Sequence, residues 1–243
     1  MIGLRCCPAA LLSFSLGICI LMKSLSFAVE PGAGLSDSNE EQAAVIIGKL
    51  KAAYAQVSDY RMETEVNIYN DGRAVETERF LYTFRKPRHI RIDMESPYAG
   101  MVLIYPGEDG KVAVKPGGLF GFIKLHLSLD SALLRTAAGQ RIDQTDLGLL
   151  IQNIGHSITD GRRGRIGVSE QDGRARIEVL AEDHFLKDVT TLYHFYIDRT
   201  FWLPVEVREF TADGIPKRDV RFLNLRIGTG VPESFFRIDG GRP

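Results

Sequence analysis

Cysteine is nearly absent from this chain of 243 residues, and its three copies, Cys6, Cys7 and Cys19, all fall within the first 28. Whatever follows residue 28 can form no disulfide, no thiolate metal site and no cysteine nucleophile. An excess of either charge is missing too: 30 Lys+Arg stand against 31 Asp+Glu, for a net −1. Arg5 and Lys23 both belong to the first segment, so the remainder is slightly more acidic still. A chain without a basic block has no electrostatic footprint for nucleic acid and no polybasic membrane tether. Beyond residue 28 no apolar run approaches the ~20 residues that a spanning helix needs.

Catalytic spacings are missing as well. The histidines His89, His126, His156, His184 and His194 make no i, i+4 pair and have no carboxylate at metal-ligand spacing. There is no Gly-x-Ser-x-Gly elbow and no Walker-type phosphate loop. Gly161-Arg-Arg-Gly164 lacks the Lys-Ser/Thr that should follow such a loop and reads as a solvated turn. Glu63/Glu65 and Asp93/Glu95 are i, i+2 pairs on what the alternation makes the exposed face of strands. The expectation is a non-enzymatic protein with no catalytic residue, no metal and no cofactor.

The first segment has an order of its own. One positive charge at Arg5 is followed by apolar residues from Ala9 to Met22, and then by small residues at Ser26 and Ala28. That order predicts a secretory signal over residues 1–28, with Val29 starting the mature chain. An uncleaved anchor is the alternative. Acylation at Cys19 fits less well, because Ile18 stands where a small residue is wanted. Residues 29–38 read as a flexible leader and 240–243 as a frayed tail, leaving one domain over 39–239.

Ser38-Asn-Glu-Glu41 has the form of a capping box. Behind it Ala43, Ile46, Ile47, Leu50, Tyr54 and Val57 make one apolar stripe, which predicts a helix over about 39–57. From Tyr60 the period becomes 2. Runs at 60–68, 79–85, 89–95, 101–105 and 111–115 alternate apolar with polar, and Asn70-Asp71-Gly72 is a hairpin signal. Runs at 165–170, 174–181, 189–197, 203–210 and 217–227 repeat the pattern, with turns at Gln171-Asp-Gly173 and Ala212-Asp-Gly214. Between the two series an insertion at about 117–155 carries the glycine-broken apolar loop 117–122 and two helical stretches, 129–138 and 144–154. The layout predicts an α+β fold: one strongly curved antiparallel sheet with helices over one face. Such a sheet either fills its own core or leaves a cavity for an apolar ligand, with the insertion as a fixed cap or a movable lid. The residue pattern leaves both open.

Three stretches resemble the LolA/LolB superfamily of periplasmic lipid and lipoprotein carriers. They are Tyr60-Arg-Met-Glu-Thr-Glu-Val66, then Tyr82-Thr-Phe-Arg-Lys-Pro87 leading into Ile90-Arg-Ile-Asp93, and a closing stretch. The last comprises Ile197-Asp-Arg-Thr-Phe-Trp-Leu-Pro204, Ala212-Asp-Gly214 and Val231-Pro-Glu-Ser-Phe-Phe236. The resemblance implies an incomplete antiparallel β-barrel with a helical lid over a cavity for acyl chains. It also implies a periplasmic carrier of lipid or lipoprotein acyl chains that meets a membrane-bound donor or acceptor protein. In these carriers an arginine before the proline gates the lid; Lys86 matches that position, with Arg85 beside it, and lysine lacks the guanidinium fork. On this analogy the inward residues Met62, Val66, Ile68, Phe80, Tyr82, Phe84, Ile90, Ile92, Met94 and Leu103 line the cavity. Lys86, Leu147, Leu150 and Ile151 are the corresponding lid or gate positions. Two other readings stand beside it: an envelope-stress sensor, for whose second domain the chain looks short, and a structural domain with a filled core.

Overall fold

The computed structural model describes residues 33–134, 140–159 and 166–238. The expected signal segment, the turn at 161–164 and the tail at 240–243 lie outside them. Two α-helices, α1 (Ala33–Ala55) and α2 (Leu147–Thr159), accompany a set of strands. The strands are β1 (Asp59–Asn70), β2 (Arg73–Arg85), β3 (His89–Ser96), β4 (Val102–Tyr105), β5 (Val112–Lys115) and β6 (Leu125–Leu127). After the insertion come β7 (Ile166–Gln171), β8 (Arg174–Glu182), β9 (Thr190–Asp198), β10 (Leu203–Thr211) and β11 (Pro216–Ile227). They form one antiparallel sheet in the order β6-β5-β4-β3-β2-β1-β11-β10-β9-β8-β7. β6 and β7 are its two edges, so the barrel is incomplete, which is the architecture the resemblance implies.

Local chemistry accounts for the hairpins. At Asp71 and Gly72, φ is 47° and 74°, and at Asp172 and Gly173 it is 51° and 73°. Two consecutive left-handed residues make the tight turn whose twist matches that of the flanking strands, and Asp-Gly adopts it at least cost. The period-2 runs then place Tyr60, Tyr82, Phe84, Ile90, Ile177, Val179, Tyr193 and Phe195 in one buried cluster on a single face.

Three features differ from the sequence expectation. Helix α1 begins at Ala33, so residues 33–38 extend the helix and Ser38 lies inside it rather than capping it. The insertion is less helical than expected. Leu125-His126-Leu127 forms the short edge strand β6, and 129–138 contributes a single 3-10 turn at Ala132–Leu134, with 135–139 outside the described residues. The expected charged face of β3 is buried at Arg91 and Asp93. The segment after β11 folds over the outer face of β3–β5 and places Phe235 and Phe236 against Val102, Ile104 and Ala113. Arg91 meets Asp93 through two hydrogen bonds, Nε–Oδ2 at 2.8 Å and Nη2–Oδ1 at 2.9 Å, and donates a third from Nη1 to the Phe235 carbonyl at 2.9 Å. A buried charge pair is tolerated when its remaining polar atoms are satisfied in this way. The covering residues lie more than 140 positions away, so strand alternation could not reveal them.

The two strand series meet where β1 pairs with β11, from Tyr60↔Ile227 to Ile68↔Arg218. Asp59 secures that junction. It is buried, its carbonyl accepts from Gly228 N at 2.9 Å, and its Oδ1 accepts from Thr229 N and Thr229 Oγ1, both at 2.7 Å. Burial pushes its pKa up, but the hydrogen bonds from Thr229 and Ser58 outweigh this and hold it below the ordinary carboxylate value. Asp59→Ala leaves those donors unpaired and should cost about 1–3 kcal/mol. Urea denaturation should show it as a lower midpoint at unchanged slope.

Candidate functional site

The concave face is covered unequally. α1 packs on α2, β7 and β10, and α2 on β8 and β10, so this side of the sheet carries a helical layer. Over β1, β2, β3 and β11 the cover comes from Leu134, residues 140–146 and, on α2, Leu150 and Asn153, and a cavity of about 220 Å³ remains beneath them. One water needs roughly 10–15 Å³ on this scale, so the space is large. Leu103 on β4 and His184 just beyond β8 both line it. Their strands are seven intervals apart in the sheet. At the strand spacing of ~4.8 Å a flat sheet would separate them by about 34 Å, so strong curvature brings them to one space.

The floor is apolar. Of the ten candidate lining positions, Met62, Val66, Ile68 and Phe80 face the cavity, as do Tyr82, Ile92, Met94 and Leu103. Phe84 and Ile90 do not line it. Both are fully buried nearer the strand ends, where Phe84 stacks on Tyr60 at 5.0 Å beneath the helices. Both share the strand parity of the lining residues, but their depth along the strand puts them in closed core. Val207, Val220 and Phe222 complete the floor from β10 and β11. Their alternation was visible in the sequence; what was hidden was that β11 lies beside β1.

The roof is tied down by tyrosines. Tyr82 Oη donates to Thr145 Oγ1 at 3.0 Å, since the Thr145 hydroxyl itself donates to the Ile142 carbonyl at 2.7 Å. Tyr60 Oη accepts from Leu147 N at 2.9 Å. Tyr54 Oη, on α1, donates to Asp146 Oδ1 at 3.1 Å. That same oxygen accepts from Gly148 N and Leu149 N at 2.8 and 3.2 Å, making Asp146 the N-cap of α2. Burial raises the pKa of Tyr54, Tyr60 and Tyr82, so all three keep their protons at neutral pH. Of the lid positions, Leu150 lines the cavity, whereas Leu147 and Ile151 are fully buried core. Lys86 touches neither the cavity nor α2. Its Nζ donates to the carbonyls of Tyr54 and Ala55 at 2.9 and 3.1 Å, closing the last turn of α1, and lies 4.7 Å over the Tyr54 ring. Arg85 reaches the Val231 carbonyl and Glu233 instead. The loop 117–122 does not line the cavity either.

Sequence reasoning missed the polar part of the wall, which gathers round Arg218. Its guanidinium meets Glu209 at 2.5 and 3.2 Å, both side chains nearly buried. Burial disfavours the Arg218 charge, but Glu209 overcomes this and raises its pKa. Glu78 faces the same space, its pKa raised by burial and then by Glu76. His184 stacks on Tyr193 at 4.3 Å and places Nε2 2.7 Å from Ser157 Oγ on α2. Burial pushes its pKa down to about 4, against the pull of Asp183. Asp183 stays ionised: burial raises its pKa, but Lys217, Thr191 and two backbone amides bring it to about 2. Among the described residues no group of His, Asp or Glu is arranged to hold a metal ion. A lone Arg in an alternating strand, or a lone His in the turn after one, carries no sequence signal of such a cluster.

Two consequences can be measured. A Cβ on Gly148 would lie 2.5 Å from the Tyr54 ring. Gly148→Ala should therefore part α2 from Tyr54 and cost about 1–3 kcal/mol, seen as a lower melting temperature. His184 takes up a proton more readily when unfolded, at pKa ~6.5, than when folded. Its contribution is present above about pH 6.5 and is lost as pH falls toward 4. Melting curves at steps across that window should fall more steeply for the wild type than for His184→Gln. His194, whose pKa burial also lowers, keeps a residual slope in both.

No family model matches the chain, and no curated protein matches it in sequence. Solved structures do match it in shape. An uncharacterized conserved protein from Thermus thermophilus aligns with TM-score 0.50 at 9% identity, over 82% of this chain and 96% of its own. A LolA superfamily protein from Nitrosomonas europaea aligns with TM-score 0.37 at 10% identity, over 80% and 97%. The Mycobacterium tuberculosis lipoprotein LppX aligns with TM-score 0.41 at 10% identity, over 79% and 98%. At such identities the likeness is one of fold, and it rests on the Thermus thermophilus protein.

Proposed function

We propose that this protein binds lipid or lipoprotein acyl chains in the cavity under α2 and carries them through the periplasm, in envelope lipid or lipoprotein transport. A membrane-bound donor or acceptor protein is its partner on this reading, and the signal-like segment at 1–28 is the reason for placing it in the periplasm. One observation carries the proposal. An apolar floor contributed by strands from both halves of the sheet is covered only in part by α2 and otherwise roofed by a segment held through side-chain hydrogen bonds. Each methylene moved from water onto such a floor gains about 0.8 kcal/mol. Ten of them supply about 8 kcal/mol before the cost of association, so a single chain binds without a polar contact. The charged groups round Arg218 suit an amphiphile, whose head needs polar neighbours while its tail does not.

The exported protein, purified without detergent, should carry a near-stoichiometric lipid or lipoprotein acyl chain in native mass spectrometry, identified by extraction. Phe80→Glu and Leu103→Glu should lose that adduct and remain folded, because both positions are half-buried on the cavity wall. Val75→Glu, on an exposed stretch of β2, should retain it. Phe84→Glu should unfold the protein, since it puts a charge into closed core. An apo mass, with no uptake of a fluorescent fatty acid afterwards, would sink the proposal.

A further inference from the structure

The loop joining β5 to β6 places large apolar side chains in solvent where folding gives them nothing to cover. Leu119 is 90% exposed, Phe122 81% and Phe120 62%. The backbone beneath them is closely held. Gly121 N donates to the Gly118 carbonyl at 3.2 Å and Ile123 N to the Phe120 carbonyl at 2.9 Å. Gly117 lies so near the β3–β4 turn that a Cβ there would stand 2.2 Å from the Ala99 carbonyl oxygen. The loop is thus a shaped projection. Scattered single apolar residues on a surface need no explanation, but three within four positions mark an interaction site.

Charge indicates the partner. Lys115 and Lys124 flank the loop, with His126 exposed beyond it, and no carboxylate lies between Lys115 and Leu129. This stands out in a chain of net charge −1. Aromatic and leucine side chains flanked by lysine fit a lipid–water interface. There the rings enter the acyl boundary and the ammonium groups meet anionic heads. The position fits as well. Tyr98, on the turn that Gly117 abuts, is 57% exposed and lines the cavity. A membrane touched by the loop therefore lies at the cavity's rim.

We infer that the 117–125 loop is a membrane-docking element that seats the protein on an anionic lipid surface, with the cavity rim at Tyr98 facing the bilayer. It does not depend on the cavity reading: vesicle binding by a protein that never carries an acyl chain would overturn that reading and leave this one standing. The test is co-sedimentation of the exported protein with vesicles of phosphatidylcholine containing increasing phosphatidylglycerol. Binding should rise with the anionic fraction and fall with added salt. The double variant Leu119→Ser/Phe122→Ser should bind at least tenfold more weakly while keeping the wild-type melting temperature and acyl adduct. Val75→Ser, an exposed apolar residue elsewhere, should bind as the wild type does. Failure of the wild type to bind the anionic vesicles, or equal binding by the double variant, would overturn the inference. So would a wild-type dimer that the double variant abolishes, seen by light scattering without vesicle binding, since a second copy would then be what covers the loop.

Discussion

The pairing of β1 with β11 is the contact on which the rest of the structure depends. Each strand series is a run of hairpins that could form locally, one from β1 to β6 and the other from β7 to β11. Neither alone makes a concave wall. Joining them demands a pairing across roughly the whole domain, which carries a loop-closure cost that hairpins escape. The long ladder with its 2.7 Å hydrogen bonds at Asp59 offsets that cost. Once it exists, residues from β1 and β11 are neighbours on one floor, and the cavity has two sides.

That junction also explains why a cavity survives in a fold so rich in apolar side chains. The helices α1 and α2 occupy the β7–β10 side, where Ile177, Val179, Tyr193 and Phe195 pack into closed core with them. Over β1–β3 and β11 much of the cover comes from the irregular segment before α2, whose backbone must find partners and cannot settle freely onto the sheet. Tyr60 takes the Leu147 amide, and Tyr54 and Tyr82 bond the side chains of Asp146 and Thr145, which holds the segment off the floor. Lys86 belongs to the same arrangement at one remove, since it closes the end of α1 that presents Tyr54.

Two buried charged pairs mark opposite faces of the sheet. Arg91–Asp93 sits outside, sealed by Phe235 and the 3-10 turn Glu233–Phe236, with guanidinium donors on a carboxylate and a carbonyl. Arg218–Glu209 sits inside, at the wall of the cavity. The first resembles a structural clasp, its geometry leaving no room for a ligand. The second is open to the cavity together with Glu78 and a neutral His184, which gives the space a charged region opposite its apolar floor.

Much of the fold was legible in the sequence because it rests on short-range rules. Asp71-Gly72 and Asp172-Gly173 require tight turns, the period-2 runs choose one face, and parity alone brings Met62, Val66, Phe80, Tyr82 and Met94 to the cavity. Local pattern also marked the glycine-broken loop as a cap or a lid, where the folded chain holds its apolar side chains in solvent, away from the cavity. Position along a strand was beyond it, which is why Phe84 and Ile90 were placed on the wall and belong to the core. Contacts between distant segments were beyond it too: the burial of Arg91 and Asp93 by residues after β11, the attachment of Lys86 to α1, and the gathering of Glu78, His184, Glu209 and Arg218. The sequence by itself determined which residues turn, which alternate and which face inward, since those follow from backbone sterics and side-chain period. Tertiary structure alone decided which inward residues meet closed core and which meet empty space, because that depends on where strands separated by 150 or more positions are joined.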